Sequence, residues 1–160
     1  MRSLNTTILA AAAAITMAPA WAQPQAFDAC QVFTQADAEA ALGGPAQPPV
    51  ENPKARKPKV IPACTYTGTH DGKPATATAH FRFGHNDDET MRAFEDNRLK
   101  FQTKPLLIRG VDGAFWSGRT GEMNLRKGRT WVSLAIGPQK PVERDIEVAR
   151  KAAESLAKKL

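Results

Sequence analysis

The densest set of metal-ligating and proton-transferring side chains in the sequence is His80, His85, Asp87, Asp88 and Glu89. A zinc or copper centre needs three or four such ligands converging on one point. The local pattern argues against convergence. His80 falls on the polar side of an alternating strand, and His85 to Glu89 reads as a turn entering the acidic first turn of a helix, where carboxylates complement the dipole. No metal ligand and no cofactor are therefore assigned. Catalysis would need a nucleophile with its base, or a carboxylate pair, in a recess. The sequence contains no Gly-x-Ser-x-Gly, His-Glu-x-x-His or phosphate-binding loop, and Glu122 is a lone candidate acid on a polar strand face. No catalytic residue is assigned.

A second constellation suits recognition rather than reaction. Strand alternation sets Phe115, Asn124 and Trp131 on one side of a three-stranded meander, with Arg126 and Arg129 at its turn end. Aromatic and arginine side chains together are enriched in binding hot spots. These five residues are the candidate partner-binding surface, unless a loop folds over Phe115 and Trp131.

The two cysteines bear on compartment. Arg2, the apolar run Ile8 to Ala18, and the small-residue pattern Ala20-Trp21-Ala22 have the layout of a secretory signal peptide, with cleavage expected after Ala22. The apolar run is shorter than the ~20 residues a membrane span needs. No lipid-anchoring cysteine box follows it. In an exported chain, Cys30 and Cys64 most simply form one disulfide. A soluble periplasmic or secreted protein is expected.

Removing residues 1–22 leaves 138 residues, the size of one domain. It also leaves 21 basic against 16 acidic side chains, a balance of +5. The basic residues are dispersed among acids, and outside the cytoplasm the excess points to an anionic envelope component or an envelope protein rather than to nucleic acid.

These residues need a scaffold, and the pattern supplies one. Ala63 to Phe83 predicts a β-hairpin turning on Asp71-Gly72. The register pairs Cys64 with Ala79, Tyr66 with Ala77, Thr67 with Thr76 and His70 with Lys73. Cys64, Tyr66, Ala77, Ala79, Phe81 and Phe83 then share a dry face; Thr65, Thr67, Thr76, Thr78, His80 and Arg82 share a wet one. Thr34 and Asp37 form a capping box for a short helix ending at Leu42, with Gly43 as its stop. Residues 45–62 hold six prolines and four basic residues and predict a long extended loop.

A second helix is predicted over about 88–102, with Met91, Phe94, Arg98 and Phe101 on one side. Leu106 to Ile108 follows as a brief strand, and residues 114–136 form the meander. A long C-terminal helix starts near Pro141, carries Ile146, Ala149, Ala153, Leu156 and Leu160 as a stripe, and pairs Glu147 with Lys151 and Glu154 with Lys158. The expectation is an α+β domain over 23–160. Its mainly antiparallel sheet has five or six strands, with the short N-terminal, middle and long C-terminal helices covering one face.

Cys30-Gln-Val-Phe-Thr34 leading to Ala36, Ala38, Ala40, Ala41, Leu42 and Gly43, then Cys64-Thr-Tyr66, resembles the opening of small exported domains best known among actinobacterial lipoproteins of unknown function. Gly110-Val-Asp-Gly113-Ala114, two strands and an Ala-rich last helix are similar as well. The resemblance implies an extracytoplasmic, disulfide-tied domain and no particular activity. The expected function is a non-enzymatic exported binding or accessory module. A periplasmic protein inhibitor of a hydrolase is the alternative, and a small hydrolase is the minor one.

Overall fold

The computed structural model describes residues 27–49 and 61–160. The expected leader over 1–22 and positions 50–60 of the Pro-rich loop lie outside the described residues.

Strands β1 (Ala63–His70) and β2 (Lys73–Phe83) form the predicted hairpin in the predicted register. Asp71 and Gly72 sit at φ +52° and +73°, the left-handed pair that matches the twist of a two-residue hairpin. Ahead of it lie α1 (Ala29–Val32), a single turn absent from the sequence reading, and α2 (Gln35–Leu42). The capping box is present: the Asp37 backbone N–H donates to Thr34 Oγ1, and the Asp37 carboxylate accepts from the Thr34 N–H at 2.7 Å. Gly43, at φ +76°, closes the helix.

After β2 the chain runs through α3 (Asp87–Lys100) to the far edge of the sheet. It returns as β3 (Pro105–Leu106), β4 (Gly113–Ser117), β5 (Glu122–Lys127) and β6 (Thr130–Pro138). The strand order is β1-β2-β6-β5-β4-β3, all antiparallel, so β6 is wedged between the hairpin and the rest of the meander. A 3-10 turn at Pro141–Glu143 then leads into α4 (Ile146–Ala157), capped by Asp145. Arg144 ties this corner together by donating to the carbonyls of Pro138 at 3.0 Å and Thr120 at 3.1 Å.

One face of the sheet packs against α1, α2 and α4. Phe33, Ala38 and Leu42 meet Tyr66, Phe81, Leu125, Leu134 and Ile136, with Ala149, Ala153 and Leu156 of α4 alongside. Ala75, Ala77 and Ala79 on β2 are small enough for helices to settle close to the strand. The middle helix departs from the expectation. It lies on the opposite face, because the crossover from β2 to β3 passes over Phe115 and Trp131, and Phe94 packs there. Of its expected stripe only Phe94 is buried, while Met91 is 42% exposed. The ion pairs of α4 also differ: Arg150 takes both Glu147, at 2.6 Å, and Glu154, at 3.9 Å. The guanidinium lies between the two carboxylates on the helix surface, and one planar cation serves both.

Candidate functional site

The second face of the sheet is divided by α3. Under the helix, Phe94 stands 4.8 Å from Phe115 and 5.8 Å from Trp131, centroid to centroid, in tilted and edge-on contacts. The approach is close because β4 opens with Gly113, where a Cβ would come within 3.2 Å of the Phe94 ring. Thr90 fixes the first turn of α3 by donating its hydroxyl to the carbonyls of Asn86 and Arg129.

This placement decides the candidate partner surface. Phe115, Asn124, Arg126 and Trp131 share one face, as expected, yet all four are buried, and a helix rather than a loop covers them. Phe115, Asn124 and Trp131 therefore form interior rather than contact surface. Arg126 is held by Asp87 of α3 at 2.6 Å and lies 3.6 Å from Asp112. Arg129 alone is exposed, at the β5–β6 turn. Periodicity reported the face of each residue but could not report that a helix would cross it.

Beyond the edge of α3, no described element lies over the rest of this face. Its floor is Ser133 and Ala135 of β6, flanked by Thr65, Thr78, His80 and Arg82 of the hairpin and by Glu122 of β5. Arg82 is opposite Trp131 in the register, and its guanidinium lies 4.5 Å from the indole centroid. Its Nη1 donates to Ser133 Oγ at 3.1 Å, and no carboxylate among the described residues pairs with it. Stacking of this kind is worth about 0.5–2 kcal/mol and orients the cation. The sequence pattern places arginines near Trp131 only within the meander, at Arg126 and Arg129, and not Arg82. The missing information was that β2 neighbours β6, a pairing between segments about fifty positions apart.

Burial pushes the His80 imidazole below its ordinary value; Glu122 opposes that shift and Arg82 adds to it. His80 is therefore neutral near neutral pH, between a carboxylate and a guanidinium. His85 lies apart at the head of α3, where its backbone N–H donates to Glu89, and Asn86 caps the helix. Among the described residues, no group of three or more His, Cys, Asp or Glu side chains is placed to hold a metal ion.

Cys30 and Cys64 are joined in a disulfide that ties α1 to the buried side of β1. No helix among the described residues is long and apolar enough to cross a membrane. No family model, curated protein or solved structure matches the chain. The resemblance to the actinobacterial lipoprotein domains thus rests on its short motifs alone.

Proposed function

We propose that this chain is an exported, non-enzymatic binding module that engages an anionic component of the cell envelope through the half of its second sheet face beyond α3. One observation carries the reading: Arg82 is stacked on Trp131 and bonded to Ser133, with no acid partner among the described residues. A cation oriented in this way loses less freedom on meeting a carboxylate or phosphate than a free surface lysine does. Thr65 and Thr78 hydroxyls lie farther along the same face, past His80, and exposed Arg129 adds charge at the β5–β6 turn. The leader layout and the disulfide support export, and the excess of basic residues supports an anionic partner.

Co-sedimentation tests the reading. The mature chain should pellet with peptidoglycan sacculi or with vesicles of anionic phospholipid, and salt should release it. Arg82→Gln should weaken the interaction about tenfold, roughly 1.4 kcal/mol, while Arg92→Gln on exposed α3 should not. Retention of Arg82→Gln at native affinity, or no pelleting with either material, refutes the proposal.

A further inference from the structure

A groove of about 280 Å³ runs between α2 and α4 and ends against the hairpin tip, on the sheet face opposite Arg82. Ala40, Ala41, Val148 and Ala152 supply apolar walls; Lys151, Ser155, His70 and Asp37 stand on its rim. Small side chains of both helices line the gap between them and leave it as an apolar groove.

The rim charges are unequal in availability. Asp37 is already committed, because its carboxylate accepts from Lys159 Nζ and from the N–H and hydroxyl of Thr34. Burial by itself would raise this carboxyl, yet those contacts hold it below the ordinary aspartate value. Lys151 is in the opposite position. Its expected partner Glu147 is taken by Arg150, and no carboxylate among the described residues pairs with Lys151. His70 donates from Nδ1 to the Leu42 carbonyl at 2.9 Å, which fixes the ring at the closed end.

We infer that this groove binds the aliphatic chain of an anionic amphiphile of the fatty-acid type, with its carboxylate at Lys151 and Ser155. Water takes up roughly 30 Å³ in the liquid and a methylene is of similar size, so the groove accommodates a chain of about eight to ten carbons. The apolar walls select the tail, and the uncompensated ammonium selects the sign of the head group.

Calorimetric titration of the full chain with hexanoate, octanoate, decanoate and dodecanoate, below their micellar concentrations, tests this. Affinity should rise about two- to fourfold per added methylene and level off beyond about ten carbons. Decyltrimethylammonium should bind at least about fivefold more weakly than decanoate. Lys151→Glu should erase that preference, and Ala152→Leu, which fills the channel, should abolish decanoate binding. Amide NMR shifts on adding decanoate should centre on Ala41, Val148, Ala152 and Ser155. Chain-length independence, equal binding of the cationic amphiphile, unchanged binding in both variants, or shifts centred elsewhere would each overturn the assignment.

Discussion

The indole N–H of Trp131 donates to Asn124 Oδ1 at 2.9 Å, within the layer between the sheet and α3. The same oxygen accepts from Ser133 Oγ at 2.8 Å, and Ser133 in turn accepts from Arg82. One amide oxygen therefore links the interior under the helix to the cation beyond the edge of α3.

Asn124→Leu keeps the volume and leaves two donors without their acceptor. A buried donor without a partner costs about 1–3 kcal/mol, so a loss of ~2 kcal/mol or more is expected in urea denaturation. Asn124→Asp, which retains the acceptor, should lose less. Equal losses in the two variants would show that the acceptor at this position is not what holds the site.

Phe94→Ala should release α3 from the sheet. Deleting a buried phenylalanine side chain costs about 3–5 kcal/mol, and Phe94 is the only apolar side chain of α3 that is fully buried. Trp131 fluorescence should shift to the red and become accessible to iodide quenching, because its edge-on neighbour is gone. An unshifted spectrum would mean that other contacts hold the helix.

Much of this arrangement was legible in the residues. The hairpin register followed from Asp71-Gly72 and from alternation alone, since a shift of one would have buried the threonines. The short helix was marked by Thr34, Asp37 and Gly43, which act on neighbours in the chain. The position of α3 was not legible. Its sequence has one strong apolar anchor, Phe94, and its side of the sheet depends on the connection from β2 to the far edge. The same non-local step concealed Arg82 above Trp131 and left open what covers the meander face. The i,i+4 spacing on α4 pairs Glu147 with Lys151, but Arg150 reaches Glu147 at i,i+3 and wins with its planar fork.

Reduction, or Cys30→Ser with Cys64→Ser, should destabilise the fold by about 3–4 kcal/mol, the chain-entropy value for a loop of this size. Parallel urea curves with and without reductant would measure it. A loss under about 1 kcal/mol would show that α1 is held by packing alone.

The His80 imidazole has a folded value below its ordinary 6.5. Between the two values the unfolded chain binds the extra proton, so stability falls as pH drops through 6.5 toward the folded value, and is retained above it. The melting temperature should therefore decline more between about pH 7.5 and about pH 5.5 in the native chain than in His80→Gln. Identical pH profiles would locate the titration elsewhere.

The bridge between Cys30 and Cys64 spans 34 positions and encloses α2 together with the Pro-rich stretch. A protease that severs the backbone anywhere in that interval makes two polypeptides without releasing either one. The nicked molecule would migrate as a single species on a non-reducing gel and separate only when thiol is added. Loss of continuity there need not mean loss of the protein.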